Sequence, residues 1–206
     1  MLPLYIEGVP QQGKIAYGDE CGRGSGCGSV VAVFVTWDET FVPKTQEDNE
    51  LLELIKDSKK LSEKQRIRLE PFIKEHALEY AYGIVDNDEI DKINILQATF
   101  KAMHKALDQL KTPIDHIVVD GNRFKQYHDI PHTCVVGGDN KLLQIAAASI
   151  LCKCFRDRIM VDLHNSNDLY RCYEWHKNKG YLTKTHLDAI KENGMSPLHR
   201  KTFIHI

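Results

Sequence analysis

Three short apolar runs in this chain each lead into acid. Ile15-Ala16-Tyr17-Gly18 precedes Asp19-Glu20, His116-Ile117-Val118-Val119 precedes Asp120, and Thr133-Cys134-Val135-Val136-Gly137-Gly138 precedes Asp139. Runs this short and rich in β-branched residues read as buried strands ending in carboxylates. Strand ends gather along one edge of a sheet, where α/β folds place their sites. A fold that brings these ends together sets Asp19, Glu20, Asp120 and Asp139 side by side, and their repulsion calls for cations. Hard divalent ions such as Mg²⁺ take oxygen ligands, and two of them together clamp the oxygens of a phosphoryl transfer. Acids after strands also serve as turn residues or helix caps. Asp139 in particular is open to a second reading, as the cap of the helix that follows.

The rest of the chain alternates strand and helix signals. Residues 28–37 and 77–86 are β-branched or aromatic and read as strands. From 49 to 76 apolar and charged residues mix at helical spacing. The pattern breaks near Asp57-Ser58 and restarts with Ser62 as cap, with Gln65 at the capping-box position. Ile90, Ile93, Leu96, Phe100, Met103 and Leu107 predict one amphipathic helix over 88–111. A long helix is expected over 142–164 and a short one near 185–194. This order predicts an α/β fold, a mixed β-sheet flanked by helices. At 206 residues the chain reads as a single domain, with 165–206 a helical and loop extension packed on it.

With 42% hydrophobic and 27% charged residues, the composition is globular and excludes a disordered or fibrous chain. The longest clean apolar run, Val30–Val35, is far short of the roughly 20 residues of a membrane span. The N-terminus lacks the basic and apolar regions of a secretory signal, so a cytoplasmic location is expected. The net charge of −2 hides an asymmetry. Residues 1–140 carry 16 Lys and Arg against 23 Asp and Glu, whereas residues 141–206 carry 11 against 6. The basic third is expected to face a polyanion. The six cysteines include no Cys-x-x-Cys pair, so reduced thiols are expected rather than disulfides or a zinc site.

Directly after the first acid pair comes Cys21-Gly22-Arg23-Gly24-Ser25-Gly26. Glycines allow close backbone approach to a ligand, and Arg23 adds a planar fork suited to phosphate. Ser149, Lys153 and Arg156 fall on one helix face and read either as a phosphate track or as a solvated face. Lys59 and Lys60 sit near a turn, as backbone contacts or as plain solubilising lysines. Asn94 and Asn122 are polar residues within apolar segments and read as backbone contacts. Asp157 rivals Asp139 as fourth carboxylate, but Lys153 stands four residues before it, the spacing of a helix ion pair. His176, His186 and His199 read as structural hydrogen-bonding residues.

From residue 15 to 203 the chain resembles the ribonuclease HII family, the type 2 ribonucleases H. GDECGRG (18–24), DSKKLSEKQR (57–66), INILQATFKAM (93–103), VVDGN (118–122), GGDNK (137–141), IAAASILCKCFRDRIM (145–160), HKNKGYLTKTHLDAI (176–190) and SPLHRKTF (196–203) carry the resemblance in register. It implies a ribonuclease H-like fold and a two-metal endonuclease using Mg²⁺ or Mn²⁺, with the four acids at Asp19, Glu20, Asp120 and Asp139. It places the loop that senses the ribose 2′-OH at Gly22, Arg23 and Gly24, and the tyrosine that works with it at Tyr181. Read from the residues alone, Tyr181 is open to a core role. The family usually has prolines near Ser25 and Ser29 and small apolar residues at Cys21 and Cys152. Cys21, Cys152 and Cys154 are read as packing residues.

The resemblance further implies the substrates: RNA·DNA hybrid duplexes and DNA with embedded ribonucleotides, cut 5′ of the ribonucleotide to leave 3′-OH and 5′-phosphate ends. Such an activity serves ribonucleotide excision repair and DNA replication. A monomer is expected, and no sliding-clamp docking motif is evident near the C-terminus. Two rivals remain. Ribonuclease HIII carries an extra N-terminal domain and lacks the Gly-Arg-Gly loop, and a silent hybrid-binding subunit would not need the four acids.

Overall fold

A computed structural model of the chain describes residues 1–38 and 40–205. Its strands are β1 Ile15–Cys21, β2 Val30–Trp37, β3 Ala77–Val85, β4 His116–Asp120 and β5 His132–Val135. They form one mixed sheet in the order β3-β2-β1-β4-β5. β1 pairs antiparallel with β2 and parallel with β4; β2–β3 is antiparallel and β4–β5 parallel. The helices are α1 Gln46–Leu54, α2 Glu63–His76, α3 Asn87–Ile93, α4 Ile95–Leu107, α5 Leu143–Ser166, α6 Trp175–Asn178 and α7 Lys184–Asn193.

β2 is buried at all eight positions because helices cover both sheet faces. Val31, Val33 and Val35 pack with Leu142–Leu151 of the α5 side, while Val30, Ala32 and Phe34 pack with Ala98, Ala102 and Met103 of α4. A strand covered on both faces needs no polar alternation, which is why its sequence is a continuous apolar run. α4 approaches β3 so closely that a Cβ on Gly83 would lie 1.8 Å from the Ala102 carbonyl oxygen. The expected restart at Ser62 is present: its hydroxyl accepts from Gln65 N–H, and the Gln65 side chain accepts from Ser62 N–H at 2.8 Å.

Two expectations need correction. The single helix over 88–111 is two helices, parted at Asn94 (φ 65°). The Asn94 side-chain oxygen accepts from the N–H groups of Leu96 and Gln97 at 3.0 and 3.2 Å, a cap that restarts the chain in a new direction. The apolar periodicity runs through the break because α3 and α4 bury the same side. The third acidic strand also ends early. β5 stops at Val135, Gly137 turns in the left-handed region, and Asp139 sits in a 3-10 turn, Gly138–Asn140. Nor does Asp139 cap α5, whose cap position is Leu142 and has no side-chain hydrogen bond.

The C-terminal segment packs Tyr173, Trp175, Ile190 and Ile204 around Cys27 and Met160. At its centre two fully buried imidazoles meet, with His186 Nε2 and His199 Nε2 3.0 Å apart. Trp175 Nε1–H donates to His186 Nε2 at 3.1 Å, and Ser196 N–H donates to His199 Nδ1 at 2.8 Å. Both accepting nitrogens must be bare, so both rings are neutral: His199 donates from Nε2 to His186, and His186 from Nδ1 to the Tyr181 carbonyl, 2.9 Å away. Burial, then the neighbouring His186, pulls His199 down to about 4. The unfolded chain therefore binds a proton below about pH 6.5 that the folded chain refuses, and stability falls as pH drops from there towards 4. Relative to wild type, His199→Gln should lose stability at pH 7.5, and that gap should narrow by about 2 kcal/mol at pH 5. Urea unfolding of both proteins at the two pH values measures it; a constant gap would refute the neutral pair.

Candidate active site

Successive residues of a strand point to opposite faces. Asp19 lies opposite Val33 and shares the α5 face, whereas Glu20 lies opposite Ala32 and shares the α4 face. The four acids are therefore not equivalent. Carboxylate oxygens of Asp19, Asp120 and Asp139 all lie within 4.8 Å of one another. Glu20 stands outside that triad and pairs with Arg23 Nη1 at 3.1 Å. Asp157, the rival, is not part of the triad: it pairs with Lys153 at 2.5 Å and Arg66 at 3.5 Å.

The triad is held by neighbours, among them Asp57, Ser58, Gly138 and Asn140, that are not among the candidate residues of the sequence. Gly138 N–H donates to Asp120 Oδ1 at 2.7 Å, which ties the end of β4 to the Asp139 turn. Asn140 Nδ2–H donates to Asp139 at 2.9 Å and to Asp57 at 3.4 Å, and Lys60 Nζ donates to Asn140 Oδ1. Ser58 and Ser149 hydroxyls are 2.8 Å apart, and the Ser149 hydroxyl also bonds Asp19. Asp57, Ser58 and Asn140 thus dock the 3-10 turn Ser58–Lys60 on the site. Their only sequence signal is membership of the DSKK and GGDNK segments, since none follows an apolar run.

Burial pushes Asp19 well above the usual carboxylate range, with Glu20 and Asp120 adding to the effect. Burial also raises Asp139, followed by the charges of Asp120 and Asp57. Burial raises Glu20, against the opposing pull of Arg23. Burial alone would depress Lys59, but Asp139, Asp19, Asp57 and Asp120 more than offset it and leave its ammonium held above the ordinary range. This is concentrated negative charge with Lys59 in its midst. An all-oxygen anionic donor set of this kind fits a hard divalent cation.

Beside the triad is a cleft of about 240 Å³ lined by Asp19, Glu20, the Gly22–Gly24 turn, Lys59, Ser149, Lys153 and Tyr181. Tyr181 is 39% exposed and so is no core aromatic. Its ring lies 5.9 Å from Lys153 Nζ and 5.7 Å from Arg156 Cζ. A second cleft, across Glu20 and Arg23, is lined by Leu96, Thr99, Asp120 and Asn122. Asn94 lines neither cleft, and its side-chain oxygen is spent on the α4 cap. Arg156 is neither phosphate track nor solvated face. It is 1% exposed and donates to the carbonyls of Ser29, Cys27 and Lys179 at 3.1, 3.2 and 2.8 Å. Arg200 is equally buried, so two of the positive charges counted in residues 141–206 lie in the interior and cannot face a polyanion.

The model of the ribonuclease HII family matches residues 18–206. The chain belongs to the ribonuclease HII family. It is 52% identical over 185 residues to Ribonuclease HII of Bacteroides fragilis, covering 90% of this chain and 86% of that one. It is 50% identical over 204 residues to Ribonuclease HII of Parabacteroides distasonis, covering 98% and 94%. Among solved structures, the ribonuclease H2 of Pyrococcus horikoshii OT3 superposes with a TM-score of 0.69 at 24% identity, over 92% of this chain and 93% of that one. The mixed sheet flanked by helices is the ribonuclease H-like fold. As a ribonuclease HII, the chain is a hydrolytic endonuclease acting on RNA/DNA hybrids and depends on divalent metal. No helix among the described residues is long and apolar enough to cross a membrane.

Within this ribonuclease HII, Gly22 and Gly24 are glycines for different reasons. Gly22 has φ +85°, and a Cβ there would lie 2.0 Å from Arg156 Nε. Gly24 has room, with a Cβ 4.0 Å from Tyr181 Cε1. Gly22→Ala should therefore cost more than about 2 kcal/mol through strain and clash. Gly24→Ala should change stability by less than about 0.5 kcal/mol while narrowing the slot beside Tyr181. Thermal melting of the two variants checks the contrast.

Proposed function

We propose that this enzyme cuts RNA within RNA·DNA hybrids and also incises 5′ of a lone ribonucleotide in duplex DNA, leaving 3′-OH and 5′-phosphate ends. The observation that carries the proposal is the convergence of Asp19, Asp120 and Asp139 beside a glycine turn and an exposed tyrosine. In this reading Asp19, Asp120 and Asp139, with Glu20 at their border, hold two divalent cations, Mg²⁺ or Mn²⁺. When bound, such ions supply the Lewis acidity for in-line transfer of a phosphoryl group to water.

The chain's own residues supply position. Ser58 and Ser149 hold Asp19, Gly138 N–H holds Asp120, and Asn140 holds Asp139, so the carboxylates are fixed before substrate arrives. Lys59 and Lys153 border the cleft and meet backbone phosphate, and Asn122 lines the neighbouring cleft. A 2′-OH distinguishes RNA from DNA by one oxygen, so a backbone donor at the Gly22–Gly24 turn and a ring packed on the sugar are the reader. Arg23 is held by Glu20 and borders both clefts from the same turn. Such an activity removes ribonucleotides from DNA in repair and replication.

Digestion of an end-labelled duplex containing one ribonucleotide, with analysis of both new ends, tests the reaction; absence of a 5′ incision refutes it. Asp120→Asn should lower turnover by about 10² or more and weaken Mn²⁺ binding in calorimetry. Because the same change relieves like-charge repulsion, the metal-free variant should melt no lower than wild type. Tyr181→Ala should melt within a few degrees of wild type, as an exposed ring predicts, yet cut the lone ribonucleotide at least about tenfold more slowly. Unchanged cleavage would remove Tyr181 from the reader.

A further inference from the structure

Residues 22–25 form a turn closed by Ser25 N–H on the Gly22 carbonyl at 3.4 Å. The middle peptide of such a turn, here Arg23–Gly24, has two orientations about half a rotation apart. One keeps its second central residue at negative φ; the other requires positive φ, which glycine accepts freely. Gly24 has negative φ here, so the first orientation is present. Nothing within the turn selects it, because glycine makes both accessible.

The selection comes from the far end of the chain. Arg200 is 0% exposed, and its Nη1 donates to the Arg23 carbonyl at 3.0 Å. The same guanidinium donates from Nε to the Gly28 carbonyl at 2.9 Å, and Arg200 N–H donates to the Gly26 carbonyl at 2.8 Å. Arg200 has no carboxylate partner among the described residues; its Nε and Nη1 donors are committed to this loop, and its buried Nη2 has no hydrogen-bond partner among them. In a trans peptide the C=O and N–H point opposite ways, and no peptide here is cis. Holding the Arg23 oxygen towards Arg200 therefore turns the Gly24 N–H away from it. Gly24 lines the catalytic cleft with Asp19 and Tyr181, and its N–H makes no hydrogen bond among the described residues.

We propose that Arg200 is a positioning residue for ribonucleotide recognition: it latches the Arg23–Gly24 peptide in the orientation that presents the Gly24 N–H to the sugar 2′ oxygen. This rests on the proposed reading that the glycine turn senses the 2′-OH. Arg200 touches no substrate and acts through one peptide plane. With the latch removed, the turn samples both orientations and the donor is lost part of the time. Contacts to phosphate, made by other residues, persist.

The test is Arg200→Lys, in which one ammonium cannot replace both donors. Circular dichroism and melting establish folding. Steady-state cleavage of a single-ribonucleotide duplex gives kcat, and inhibition by the same duplex made wholly of DNA gives a Ki that reports phosphate contacts alone. The expected result is a kcat lowered by about 10- to 100-fold, the range for losing one strong donor, with Ki within about twofold of wild type. A folded variant that keeps wild-type kcat overturns the latch, as does one in which kcat and Ki deteriorate together. If wild type itself does not cut at a lone ribonucleotide, the parent reading fails and the latch with it.

Should Arg200→Lys not fold, a second measurement uses the intact wild-type chain. In EDTA, the ¹⁵N-labelled Gly24 amide should shift on binding the single-ribonucleotide duplex and far less on binding the all-DNA duplex. An equal response to both duplexes overturns the proposal.

Discussion

Like charges held together out of water are the constraint around which this fold is arranged. Asp19, Asp120 and Asp139 converge within 4.8 Å, and burial raises the cost of ionising Asp19 and Asp139. Each acid sits on a different element, so the sheet order β1-β4-β5 and the turn after β5 must all be correct for the cluster to exist. The surrounding bonds converge on the same task. The Ser58–Ser149 contact joins the Ser58–Lys60 turn to α5, and Asn140 joins that turn to Asp139. A packed apolar core on both faces of β2 supplies the rigidity that holds these like charges together.

How far this was legible in the sequence depends on the range of the interaction involved. Apolar runs ending in acid located β1, β4 and the neighbourhood of β5, because strand burial is written in consecutive residues. The capping box at Ser62 was equally local. The break at Asn94 was not, because α3 and α4 bury the same side and the periodicity carries through. Asp139 does not end the strand its apolar run predicts: it occupies a turn four residues beyond it, brought to Asp120 by the Gly138 N–H. That Glu20 leaves the triad follows from strand alternation alone, and was available from Asp19 and Glu20 being consecutive. Asp57, Ser58 and Asn140 matter through contacts across 80 to 91 residues of sequence, which no local pattern encodes.

Charge counting misled for a related reason. The basic balance of residues 141–206 treats every Lys and Arg as surface charge, yet Arg156 and Arg200 are interior and bonded to backbone carbonyls. Lys153, Arg158, Lys177 and Lys179 are engaged by carboxylates of Asp157, Glu70, Glu174 and Glu63. The basic surplus left free of interior burial and ion pairs is therefore smaller than the sum implies.

The two interior arginines also account for a departure from the family pattern. The family resemblance leads one to expect prolines near Ser25 and Ser29, which would stiffen the loop from within. Here Ser25 is fully buried and its hydroxyl has no hydrogen-bond partner among the described residues, so it adds no internal brace. Order is imposed from outside instead. Arg156, on α5, takes the carbonyls of Cys27 and Ser29, and Arg200, near the C-terminus, takes those of Arg23 and Gly28. The His186–His199 pair, next to Arg200 in the chain, joins the same segment to the Tyr181 carbonyl. Arg156 reaches the other side of that turn through the Lys179 carbonyl. Arg156 is consequently tied both to the loop and to the segment that carries the tyrosine, whereas Arg200 acts on the loop alone.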